Sequence, residues 1–295
     1  MPLIDINLSR RKLLTYSALV PAFSSVISSE AAQGYVGFAR QKNVTGGTGG
    51  TTVYIDNIEQ LCQHLGGDDR KNIIVTKNIT ASGKQLVFLG SNKTLIGHNS
   101  NIILYNIYIY GNQSKGNVIF RNLNFIHSKA IRGNDDIQIR ISSGSGYWLD
   151  NCKFPGHDWS TTDYGEDKLI YFGEKADFIT ISNCLFANHR YGCIFGYPED
   201  GFKQFKGEPR ITICNNLYSN VYTRAPGLFR YGTFEVYNNV IKGFHIAYTI
   251  DGMANVNSYN NRFYTNQKYF TLTSLLQGNI RHQDDYLNGY LINNT

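Results

Sequence analysis

Six times between residues 122 and 263 the chain repeats one short pattern: an alternating apolar run, an asparagine, and a bulky apolar residue three positions later. The asparagines are Asn122, Asn151, Asn183, Asn215, Asn238 and Asn260, at intervals of 29, 32, 32, 23 and 22 residues. The residues that follow are Phe125, Phe154, Phe186, Tyr218, Ile241 and Phe263. Runs such as YWL, FITI, RITI and FEV alternate with the period of two that strands require. Self-similarity at this spacing is the mark of a solenoid. The shortest interval fits one three-stranded coil, and the longer ones fit the same coil with a loop inserted. Coils stack one strand spacing apart, about 4.8 Å, so equivalent side chains form ladders. Asparagine suits the corner because it tolerates left-handed backbone and its amide can bond to the coils above and below. Chance spacing in a β-sandwich would not put a bulky apolar residue at one offset six times. The expected fold is all-β, a right-handed parallel β-helix.

The amino terminus reads differently. Ser9 to Leu14 (SRRKLL) puts twin arginines before LLTYSALVPAFSSVI, a stretch with no charge until Glu30. That is the layout of a twin-arginine export signal with cleavage after Ala31, too short and hydroxyl-rich for a membrane span. Residues 1–31 are therefore expected to be a leader, and 32–295 a single domain exported to the periplasm or beyond. VYI reads as a first strand after a glycine-rich turn, and Asn57 to Leu65 as a short helix capping the solenoid's open end. From residue 267 the pattern fades, and the tail 267–295 is expected to cap the other end. Cys152 and Cys184 share a repeat position, giving a stacked thiol pair or a disulfide. The net charge of +6 suits an acidic polymer, and no dense Lys/Arg run or nucleic-acid motif directs it to DNA or RNA. A monomer with no membrane contact in its mature form is expected.

VTGGTGG before VYI, NKTLIG, NVIFRNLNF, YWLDNC, DFITISNCLF, NHRYGCIFG and the R-x-P…R-x-G loop occur in the order found in the pectate lyase family. The chain resembles that family from about residue 34 to residue 263. The resemblance implies β-elimination on an acidic polysaccharide, with pectate or polygalacturonate as the substrate. A base removes the C5 proton of a uronate and the glycosidic oxygen leaves from C4. Neutralising the adjacent carboxylate is the main electrostatic task, which Ca²⁺ suits.

On this resemblance Arg224 is the catalytic, proton-abstracting residue. An arginine ordinarily keeps its proton, so that role demands neighbouring positive charge. Arg230 corresponds to a second arginine that would grip a substrate carboxylate through a bidentate fork. Asp135, Asp136, Glu166 and Asp167 are the expected calcium ligands. Two departures mark this chain. Tyr171 stands where another calcium carboxylate is usual, which predicts a weakened calcium site. Tyr191 replaces a substrate-binding lysine, with Arg190 beside it as a stand-in. Asp150, after Trp148, is expected to brace a coil corner, and His189 to be a satisfied turn residue rather than a base. Two alternatives stay open: a β-helix glycoside hydrolase using paired carboxylates, and a glycan-binding protein without turnover.

Overall fold

The computed structural model describes residues 36–131, 137–157, 167–197 and 207–293. Its body, Gly37–Thr295, is built from short parallel strands that wind coil upon coil. One sheet of ten strands takes one strand per coil, from Thr51–Ile55 through Gly116–Arg121, Asp177–Ser182 and Gly232–Tyr237 to Gly278–Gln283. The remaining strands form a second sheet that bends around the other two sides of the coil. Leu185–Phe195 makes the bend visible: its start pairs with Leu217–Thr223 and its end with Gly227–Leu228. The chain is a parallel β-helix.

The repeat asparagines do what their spacing demands. All six hold left-handed backbone, with φ between 51° and 57°, at the corner that follows each strand of the ten-stranded sheet. Asn151 Nδ2 donates to Asn122 Oδ1 at 2.8 Å. In the later coils the inner ladder passes to the second asparagine of each pair. Asn216 Nδ2 donates to Asn239 Oδ1 (3.0 Å), and Asn239 Nδ2 donates to Asn261 Oδ1 (2.9 Å). These three are buried, so each amide satisfies the next where water cannot reach. Three positions after the corner, Phe125, Phe154, Phe186 and Tyr218 stack with centroids 5.0, 5.1 and 5.0 Å apart. Such aromatic pairs add about 0.5–1.5 kcal/mol each beyond their buried area.

The helix expected at the open end is present as Ile58–Leu65, with Asn57 Oδ1 accepting from the Gln60 N–H at 3.0 Å. Leu61 and Leu65 are wholly buried against the first coil. Ahead of it the glycine-rich segment holds more than a turn. Gly37–Gln41 is a one-turn helix on the outer face of the ten-stranded sheet, where the N–H groups of Phe38 and Ala39 donate to Thr212 Oγ1 and Thr180 Oγ1. The tail is part of the solenoid: Thr271–Leu275 and Gly278–Gln283 add a further coil, and Tyr286–Leu287 with Tyr290–Leu291 make an antiparallel pair. Cys152 and Cys184 are buried free thiols, so of the two readings the stacked thiol pair holds. Asp150 braces its corner as expected, bonding Arg121 Nε at 2.9 Å, Ser182 Oγ at 2.9 Å and Asn183 Nδ2 at 2.7 Å.

Candidate active site

The second sheet positions the loop that carries Arg224. Leu217–Thr223 ends one residue before Arg224, and Gly227–Leu228 resumes pairing after Pro226. The loop is pinned on both sides: the Cys193 N–H donates to the Arg224 carbonyl at 3.0 Å, and the Ala225 N–H to the Ala247 carbonyl at 2.8 Å. Gly192 makes the first of these possible, because a Cβ there would lie 2.6 Å from the Arg224 oxygen. Arg224 and Arg230 both hold left-handed backbone, at φ 59° and 55°. Bulky residues rarely adopt that region, and where they do it often belongs to function.

Arg224 is half-buried, with its guanidinium 4.8 Å from the Tyr191 ring centroid and 5.9 Å from that of Phe229. Arg190 lies over the same Tyr191 ring at 5.5 Å. Tyr191 is thus a half-exposed aromatic floor beside two cations. Its register neighbours are Lys168 on one side and Thr223 on the other. Asp167, the one expected calcium ligand within the described residues, precedes Lys168, is buried, and is ion-paired with it. Asp167 and Arg224 flank strands of one sheet two steps apart, a separation of about 10 Å along the solenoid. Asp135, Asp136 and Glu166 lie outside the described residues. Arg230 is wholly buried, so a fork from its guanidinium onto a substrate is not the arrangement seen.

Tyr171, where a further carboxylate is expected, is buried and stacked on Tyr197 at 4.9 Å. Arg140, its register neighbour, is a residue the sequence reading passed over. The Arg140 guanidinium sits 5.6 Å from the Tyr171 ring and 5.7 Å from the Tyr110 ring. Lys168, likewise passed over, reaches to 5.2 Å from the Tyr197 ring. A charge next to or within an apolar run needs a partner, and the sequence signals for both were of that kind: Arg140 in the middle of IQIRI, and Lys168 at the head of the strand in DKLIYF.

Among the described residues no group of three or more His, Cys, Asp or Glu side chains is placed to hold a metal ion. Asp167 is held by Lys168, and Arg140 and Lys168 bring two positive charges to the same side of the sheet. This described part of the site does not fit a hard dication. Beneath it His127, His157 and His189 pack as a cluster, with ring centroids 4.5 Å (His127–His157) and 5.7 Å (His127–His189) apart. His189 is buried and its Nε2 bonds the Asp167 carbonyl at 2.8 Å, so it is satisfied as expected, but it lies within the strand Leu185–Phe195, paired with Val221, and not in a turn. Burial, aided by the other imidazoles, pulls His127 down to about 4 and His189 to about 3.

A parallel β-helix with a basic loop and an aromatic floor on one side offers an acidic polymer both charge and ring faces. Comparison with known proteins narrows the class. The pectate lyase family model matches residues 14–289. A pectin lyase of Pectobacterium carotovorum is 47% identical over 232 residues, 78% of this chain and 74% of that protein. One of Pseudomonas marginalis is 48% identical over 231 residues, with the same two coverages. One of Bacillus subtilis is 45% identical over 242 residues, 80% of this chain and 70% of that protein. A solved thermostable pectate lyase superposes with a TM-score of 0.74 at 19% identity, covering 88% of this chain and 86% of its own, a likeness of fold. The chain belongs to the pectate lyase family, and it is a polysaccharide lyase.

Proposed function

We propose that this lyase cleaves galacturonan by β-elimination and prefers stretches whose carboxyl groups are methyl-esterified. The observation that carries the preference is the aromatic floor beside Arg224, where the Tyr191 ring lies against the guanidinium groups of both Arg224 and Arg190. Three relatives at 45–48% identity that are pectin lyases support it. A methyl ester bears no charge, so the C5 proton beside it is more acidic than one beside a carboxylate, and no dication is needed to neutralise the group. Arg224 faces the C5 proton. Arg224 takes the proton onto a guanidine nitrogen as the C5–H bond breaks, the freed pair forms the double bond between C4 and C5, and the oxygen on C4 leaves with its electron pair and is protonated by water. Arg190 stabilises the charge that develops on the ester oxygen, while Lys168, buried and ion-paired with Asp167, supports the sheet behind it. Arg230 supports the loop from within rather than touching the sugar.

The test is turnover on highly esterified pectin against polygalacturonate, with and without a calcium chelator, read by the ultraviolet absorbance of the unsaturated product. Faster cleavage of pectin, unmoved by the chelator, is expected. Arg224→Ala should lower kcat by about 10²–10³-fold, the scale of one lost transition-state contact. Cleavage of polygalacturonate alone, stopped by the chelator, would refute the preference and return calcium to the site. Reducing ends without the absorbance would mean hydrolysis instead.

For residues 1–31, which lie outside the described residues, we propose export by the twin-arginine route; no helix among the described residues is long and apolar enough to cross a membrane. Replacing Arg10 and Arg11 together by lysine should leave the uncleaved precursor in the cytoplasm.

A further inference from the structure

The tail adds one more coil to the solenoid, and the outer edge of that coil is bare. Thr271–Leu275 pairs with Ile246–Ile250, and Gly278–Gln283 with Ala254–Tyr259. Among the described residues neither takes a further strand on its other side. We propose that this end of the solenoid is an interface for a second copy of the chain, joined about a two-fold axis, in place of the monomer expected from the sequence. Such a pairing is independent of the chemistry at Arg224.

Open strand edges are usually blunted by charge, proline or a bulge, and Thr271–Leu275 has neither charge nor proline. Apolar side chains surround it instead. Tyr269 and Phe270 precede the strand, Leu275 and Leu276 close it, and Tyr290 and Leu291 belong to the antiparallel pair of the same terminal region. Each is between 39% and 79% exposed. Ile250, the register partner of Leu275 one coil back, has no exposed surface. What leaves Leu275 in water is thus the lack of a coil above it among the described residues. At about 200 Å² for a fully exposed large side chain, the patch offers about 700 Å² per copy. That exceeds the patch of about 300–600 Å² ordinary on a monomer. Doubled, it falls within the range of about 1,200–2,000 Å² typical of a stable pair.

The order of residues along the edge selects a copy of itself. The aromatic pair and the leucine pair lie at similar distances on either side of Thr273. A two-fold axis there runs two such edges antiparallel, so that Tyr269 and Phe270 of one copy meet Leu275 and Leu276 of the other, twice over. The free N–H and C=O groups of each edge then find partners in its mate. Head-to-tail stacking is closed off, because the helix Ile58–Leu65 covers the opposite end of the solenoid.

Sedimentation of the wild type tests the interface. Between about 1 and 100 µM it should pass from monomer to a species of twice the mass, since interfaces of this size hold at micromolar concentration or tighter. Leu276→Glu and Tyr269→Lys should each raise the dissociation constant about tenfold or more, because each sets a charge against an apolar neighbour in the other copy. Both side chains are largely exposed, so both variants should melt with the wild type. An equimolar mixture of the two should dimerise again, with carboxylate meeting ammonium at one contact and the native residues meeting at the other. A wild type still monomeric at about 100 µM overturns the interface. So does a dimer untouched by either substitution, or a mixture that is not restored. A monomer that binds phosphatidylglycerol vesicles, with that binding lost in Leu276→Glu, would make the patch a membrane contact and overturn it as well.

Discussion

Arg224 and Arg230 share one loop and one unusual backbone conformation, yet their surroundings set them apart. Arg224 is half-buried against Tyr191 and Phe229; Arg230 has no exposed surface at all. Shortening the first should therefore cost turnover and leave stability nearly unchanged. Shortening the second removes a large side chain from a packed interior. Arg230→Ala should cost about 3 kcal/mol or more through the cavity it leaves. Thermal melts of the two variants, run beside the activity assay, separate these outcomes. Equal melting points would mean that Arg230 is not the internal brace described. The loop that carries Arg224 was legible in the sequence because it matched a known motif. The burial of Arg230 was not, because nothing in R-x-G says which way a guanidinium turns.

At the scale of the element, the corner and the ladder place opposite demands on neighbouring asparagines. Asn238 is exposed and left-handed, whereas Asn239 is buried and bonds to Asn216, Ile213 and Asn261. Asn238→Gly should be close to neutral, and Asn238→Ala should cost about 1 kcal/mol for the backbone alone. Asn239→Ala should cost about 3 kcal/mol or more, since several buried groups lose their partner together. Denaturant midpoints of the three variants test the order; an equal cost at 238 and 239 would show that the ladder contributes nothing of its own. The coils were readable beforehand because the corner asparagine and the aromatic recur at fixed offsets. Arg140 and Lys168 were not, because their meaning comes from register across coils: Arg140 meets Tyr171, Lys168 meets Tyr191, and these pairings join segments well separated in sequence. The Gly37–Gln41 helix was hidden for a related reason, since its anchors, Thr180 and Thr212, lie on distant strands.

For the molecule as a whole, the histidine cluster sets an acid limit. Imidazoles titrate near 6.5 when unfolded, while His127 and His189 are held at about 4 and about 3 in the fold. A depressed folded value means that the unfolded chain binds protons first. Stability is then complete above about pH 6.5 and declines as pH falls toward the folded values. Between pH 8 and pH 5 the loss should be about 2 kcal/mol for each of the two. Denaturant midpoints across that range would show it, and His127→Phe should flatten the slope. A variant with the wild-type slope would remove His127 from the account.

The coils also differ in what they carry outside the strands. The chain passes from Phe195 to Gly207 through residues 196–206, but from Leu228 to Gly232 through 229–231 alone, although both returns lead to adjacent places in the ten-stranded sheet. Since each turn is keyed separately by its own corner, the length of such an excursion is free to drift without disturbing its neighbours. Evolution can thus lengthen or shorten one excursion at a time, while the coils it leaves and rejoins keep their pitch.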